Sequence, residues 1–270
     1  MLFKRTNVDS SKIFFLFLFL FLYFFSVSAK GDYSNELMSG AKIIFHHWNV
    51  EKSEVTGYSN FLYEKINKNG QQFILEKNEN TKKNGEVFTR KKIWFDVNSG
   101  MPIRYEEEDF RKDFRIINKY SDKKIKTNLY RAGKILDFET KKGLADIVPM
   151  EIFFFFLRKN FQHILISDSF SFTLFLPLLA MELEEKGLPR SMSMIQMIVD
   201  LKEEKITDSI LGQIWARKLI IFPKSALLRA LLPSEKTNFE LLIAENSPHH
   251  ILEFKVGKTK HILKELTFLE

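Results

Sequence analysis

Cysteine is absent from the 270 residues. That excludes disulfides, thiolate metal sites, a cysteine nucleophile and a lipid-modified N-terminal cysteine. Glycine (11) and proline (7) are scarce. Neither a P-loop nor a dinucleotide-binding glycine pattern is present, and GxSxG and HExxH are missing too. A large excess of one charge is also lacking: 41 Lys and Arg face 34 Asp and Glu, a net charge of +7. The signs alternate, as in EEEDFRKDFR (106–115) and LKEEK (201–205). Dispersed charge of this kind forms a solvated surface, whereas a nucleic-acid binder gathers Lys and Arg into a stripe. No nucleic-acid partner is expected; contact with an anionic membrane surface stays open.

What the chain has in quantity is phenylalanine, 28 residues, eight of them within the first 25. Lys4, Arg5 and Lys12 precede an unbroken apolar run, Ile13 to Phe25, followed by Ser26-Val27-Ser28-Ala29. A basic start, an apolar core and small residues ahead of the cut form a secretory signal peptide. Cleavage is expected after Ala29, leaving a periplasmic or secreted protein with a charge of +5 (38 basic, 33 acidic residues). The alternative is an uncleaved inner-membrane anchor over residues 13–29. That stretch is 17 residues long, against the roughly 20 a spanning helix needs.

Residues 30–270 are expected to form a single β-rich domain: two meanders joined by a Phe-rich segment at 149–181. From Ile43 to Phe138 the turn signals are Asn69-Gly70, Asn84-Gly85, Asn98-Ser99-Gly100 and Ala132-Gly133. They supply the positive φ of tight hairpins. Between them, apolar residues recur with period two, which predicts six or seven antiparallel strands with one buried face. Pro149 can open a helix over 149–160, although the Phe153–Phe156 run also fits a core strand. Phe170, Phe172 and Leu174 alternate as a strand. Strands are predicted again at 192–201, 214–222, 239–243, 250–256 and 260–268, with a helical turn at 226–232. The fold class is mainly β (α+β), a curved antiparallel half-barrel or sandwich-like sheet with one to three short helices.

Chemistry is sparse. His46-His47 and His249-His250 are adjacent pairs, and neighbours on a strand point to opposite faces, which disfavours chelation. In Glu106-Glu107-Glu108-Asp109, Glu106 and Glu108 share a face, but Arg111, Lys112 and Arg115 beside them predict surface ion pairs. No catalytic residue, metal or cofactor is expected, and the protein is read as a non-enzyme. A hydrolase using scattered carboxylates or histidines is the weakest alternative. The aromatic strands point instead to a concave face lined for an apolar ligand. Alternation selects Trp94, Ile103, Tyr105, Phe114 and Ile116 from the first meander. Phe172, Leu174, Trp215 and Phe254 come from the later strands.

Trp94-Phe95-Asp96-Val97-Asn98-Ser99-Gly100-Met101-Pro102-Ile103-Arg104-Tyr105-Glu106 resembles a hairpin of the outer-membrane lipoprotein carrier superfamily. The order of later strands (170–176, 197–214 and 251–266) is similar to that of exported bacterial proteins of unknown function. So are Phe156-Leu157-Arg158 and Lys264-Glu265-Leu266. The resemblance implies a half-barrel wrapped around helices in the periplasm, with a lipid or a lipoprotein acyl chain as ligand and no catalytic residues. The alternative is a cell-envelope scaffold with a filled core, whose strand edges or 106–115 surface recruit an envelope protein partner.

Overall fold

The computed structural model describes residues 40–167, 169–185, 187, 189–226, 229, 238–246 and 248–268. The signal-peptide segment and most of the 226–232 turn lie outside them. The described residues belong to one compact unit. They build one large, curved, open sheet.

Its first eight strands run β1 (Ala41–Asn49), β2 (Glu54–Lys68), β3 (Gln71–Lys82), β4 (Val87–Asp96), β5 (Pro102–Asp109), β6 (Phe114–Tyr120), β7 (Ile125–Arg131) and β8 (Lys134–Glu139). Then come β9 (Val148–Pro149), a 3-10 turn at Met150–Ile152, and helices α1 (Phe153–Lys159) and α2 (Phe161–Ile166). Strand β10 (Phe170–Phe175) leads into α3 (Pro177–Glu185). The last meander is β11 (Met194–Ser209), β12 (Gly212–Pro223), β13 (Phe239–Ala244), β14 (Ile251–Val256) and β15 (Thr259–Phe268).

The sheet order is β8-β7-β6-β5-β4-β3-β2-β1-β15-β14-β13-β12-β11-β10-β9. The first strand therefore pairs with the last, for example Phe45 opposite Leu263 and His47 opposite His261. That long-range pairing welds the two meanders into one surface. All pairs are antiparallel except β9 with β10.

The four predicted glycine turns form, with positive φ at Gly70, Gly85, Gly100 and Gly133. Asn69 and Gly70 have φ of 55° and 79°, and Ala132 and Gly133 have 47° and 82°. Each pair closes a two-residue hairpin, between Lys68 and Gln71 and between Arg131 and Lys134. The 96–100 turn has a different lock. Asp96 Oδ1 accepts from the Asn98 and Ser99 amides at 3.1 and 2.8 Å and from Ser99 Oγ at 2.9 Å. An Asx turn of this kind is why aspartate ends the strand.

One face alternates into the core throughout. In β6 the inward residues are Phe114, Ile116, Asn118 and Tyr120; in β7 they are Ile125, Thr127 and Leu129. The outward face carries cross-strand ion pairs such as Arg90–Glu79 at 3.0 Å and Lys77–Glu64 at 2.6 Å. The Phe run forms a helix, and its rings spread in different directions. Phe153 is fully buried between Phe172 and Phe239, with centroids at 5.8 and 5.3 Å. Phe155 packs on Phe95 at 5.0 Å and Phe154 on Phe254 at 4.6 Å. A strand would send alternate rings to only two faces. The helix lets one short segment cover several strands of the concave face.

Candidate functional site

Between α1, the start of α3 and the strands lies a cavity of about 390 Å³, within the usual span of small-molecule sites. Residues of eight neighbouring strands, β6 through β1 to β15 and β14, line it. Laid flat, eight strands span about 34 Å; curling brings them around one space. Much of the wall is apolar: Ile43, Phe45, Phe61 and Ile93 from the sheet, Phe154 and Phe155 from the helix above. Phe153–Phe156 thus roofs the concave face and leaves room beneath.

Four of the nine residues selected by alternation line this space: Tyr105, Phe114, Ile116 and Phe254. The other five stand elsewhere. Trp94 lies between the lining residues Ile93 and Phe95, so it faces the opposite side, where Arg104 stacks over its ring at 5.5 Å. Ile103 is the extra residue of a bulge: Trp94 pairs with Arg104 and Phe95 with Pro102. A bulge shifts the alternation by one, and period-two reasoning passes over it. Phe172 and Leu174 are buried in the packed core of β10, away from the cavity. Trp215 is half exposed near the β11–β12 turn.

The residues missed by sequence are polar and form a band across the sheet. Register places Tyr63, Glu76, Ile93, Tyr105 and Asn118 in one transverse row. The adjacent row holds Phe61, Asn78, Lys91, Glu107 and Ile116. Glu151 and Arg158 reach the same cavity from the 3-10 turn and α1. Glu106 and Glu108 do form outer ion pairs, with Arg104 at 2.5 Å and with Arg115 at 3.5 Å. It is Glu107 that points inward. A signal existed in β3: Glu76, Asn78 and Asn80 share the phase of buried Ile74. Polar residues at core phase mark a wet interior.

Each carboxylate has a phenol donor. Tyr105 donates to Glu107, which also pairs with Lys91 at 3.5 Å. Tyr120 donates to Glu151 at 2.8 Å, and the Asn118 amide donates to the same oxygen. Burial pushes the Glu151 carboxyl up to about 7, and the Glu107 charge adds to the push against the pull of Tyr120 and Asn118. Burial pushes Glu76 up to about 7 as well; Tyr63, Arg158 and Lys91 pull the other way. Burial first, then the neighbouring carboxylates, hold all three tyrosines well above 10, so they stay protonated donors. Arg158 donates through Nε and Nη2 to the Pro248 carbonyl at 3.2 and 3.0 Å.

Histidines close the opposite flank. The His261 ring stacks on Phe254 at 4.0 Å and meets His47 at 4.4 Å. Burial holds His47 and His250 down to about 4 and His261 to about 3, so all three are neutral near pH 7. His47 Nε2 lies 2.6 Å from Ser59 Oγ, which donates to Asn80 Oδ1 at 2.5 Å. A catalytic dyad needs a base poised near neutrality and a third group orienting that base. Here the base is depressed and the third group holds the serine instead. Gly57 belongs to this corner: a Cβ there would stand 2.3 Å from the Thr81 carbonyl oxygen and 3.3 Å from His47 Nδ1. Among the described residues no three His, Asp or Glu are grouped to hold a metal. No helix among them is long and apolar enough to cross a membrane.

No protein-family model matches the chain, and no curated protein matches it. Among solved structures it is similar to a Bacteroides fragilis protein described as a "putative exported protein with YmcC-like fold". Identity is 6%, the TM-score is 0.33, and the match covers 85% of this chain and 96% of the other. None of these comparisons points to the lipoprotein carrier superfamily.

Proposed function

We propose that this is an exported, non-enzymatic binding protein that holds a lipid, an acyl chain or another apolar ligand in the concave cavity. The observation that carries this reading is the space of about 390 Å³ under Phe154 and Phe155, bounded by eight strands, all but β3 contributing apolar or aromatic side chains. Burying an alkyl chain gains roughly 0.8 kcal/mol per methylene, so a chain of modest length binds without any sequence motif. Export is supported by the basic, apolar and small-residue pattern of residues 1–29. The depressed histidines and the serine-bound Asn80 support a site that binds without turning over.

A second reading, an envelope scaffold, draws on the filled half of the concave face around Phe153. Organic extraction and mass spectrometry of protein purified from its native envelope separate the two. Carriage predicts a stoichiometric co-purifying amphiphile. Its absence, together with failure of added alkyl probes to bind, contradicts carriage and favours the scaffold.

A further inference from the structure

The polar band asks for a headgroup of one sign. Besides the histidines and the protonated Tyr63 and Tyr105, five charged or chargeable groups line the cavity among the described residues: Glu76, Glu107, Glu151, Lys91 and Arg158. Carboxyls outnumber cations, and the cations already have partners. Lys91 pairs with Glu107, and Arg158 spends two donors on the Pro248 carbonyl. Glu151 has only neutral donors, its own backbone amide, Tyr120 and Asn118, and no ion pair among the described residues. Glu76 faces Tyr63 across the strand pair, and the charges of Arg158 and Lys91 already act on it. His250 and His261, on the same cavity, are neutral. An anionic headgroup would meet three carboxyls and displace existing partners. A cation would supply the counter-charge that the buried Glu151 lacks.

We propose that the polar band selects amphiphiles whose headgroup is a protonated amine, accepted by Glu151. This rests on the cavity holding the apolar chain. The empty site keeps this carboxyl partly protonated near pH 7; a bound ammonium favours its ionised form. Affinity for the amine therefore rises with pH through the neutral range, while affinity for an uncharged headgroup stays flat.

The test is calorimetric titration of the purified, delipidated protein with dodecylamine, 1-dodecanol and dodecanoate at pH 6 and pH 8. At pH 8, dodecylamine should bind at least about tenfold tighter than 1-dodecanol, and the ratio should shrink at pH 6. Replacing the carboxyl (Glu151→Gln) should abolish the ratio between dodecylamine and 1-dodecanol. Equal binding of amine and alcohol by the wild-type protein, or tightest binding of dodecanoate, overturns the headgroup inference while the cavity reading stands. A Glu151→Gln variant that keeps the wild-type ratio also overturns it. If none of the three probes binds the wild-type protein, the cavity reading itself fails. The pH series on the wild type decides even if the variant does not fold.

Discussion

The same sheet has two different inner faces. Under β10–β13 the face is dry and filled: Leu219, Ile221, Phe239, Leu241 and Ile243 close on Phe153 and Phe172 with almost no exposure. Under β2–β6 the face carries Glu76, Asn78, Lys91, Glu107 and Asn118 among its apolar residues, and space remains. One half is a foundation, and the other keeps polar groups where packing alone would place aliphatics. Polar groups at core phase cost stability unless paired. The proposed ligand site gives these groups a use that packing does not, while the other half is closed by its own side chains.

The sharpest way to break this contrast is to empty each half in turn. Phe153→Ala in the packed half should cost about 3–5 kcal/mol, read by urea denaturation. Phe155→Ala over the existing cavity should cost less than half of that, since its ring is only partly enclosed. Equal losses would erase the distinction between the two faces.

The next effect is electrostatic. Glu76 and Glu151 have folded values of about 7, raised above the ordinary carboxyl value of 4.5. The folded state therefore holds protons that the unfolded state releases, and stability falls as pH rises from about 4.5 to about 7. By linkage the loss is on the order of 3 kcal/mol per group. His47, His250 and His261 act in the opposite direction. Their lowered values mean that stability falls as pH drops below about 6.5 toward 3 to 4. The difference between wild type and the Glu76→Gln, Glu151→Gln variant isolates the carboxyls. Denaturation at pH 5, 6, 7 and 8 should show the variant gaining on the wild type as pH rises.

Gly57→Ala comes next, at about 1–3 kcal/mol, because its Cβ would stand 2.3 Å from the Thr81 carbonyl oxygen. The smallest effect belongs to Trp215→Ala. That half-exposed ring should change stability by no more than about 0.5 kcal/mol and leave alkyl-probe binding unchanged.

The sheet was largely legible because turns announce themselves. Asn69-Gly70 and Ala132-Gly133 need positive φ, and the structure uses them so. The sequence reading counted six or seven strands before Phe138, and the sheet has eight. One overlooked turn, Phe110 to Asp113, contains no glycine and puts Asp113 itself at φ 45°. The helix at Pro177–Glu185 was also passed over, hidden inside an apolar run whose first half is a strand. The site was harder to read. Apolar lining and apolar core share one period, so alternation could not divide Phe114 from Phe172. A bulge at Ile103 broke the phase beside Trp94. The polar band was visible in principle, as Glu76 and Asn78 in step with Ile74. Its meaning depended on seeing β3 placed beside β4 and β5 beneath α1.

The space under α1 is proposed to receive an apolar chain. Ile116, 3% exposed and on the cavity wall, is the residue to enlarge. Calorimetric titration with 1-dodecanol should give one site on the wild-type protein and at least about tenfold weaker binding to Ile116→Trp, with the variant still folded by circular dichroism. Equal binding by both proteins, or none by the wild type, would contradict the account.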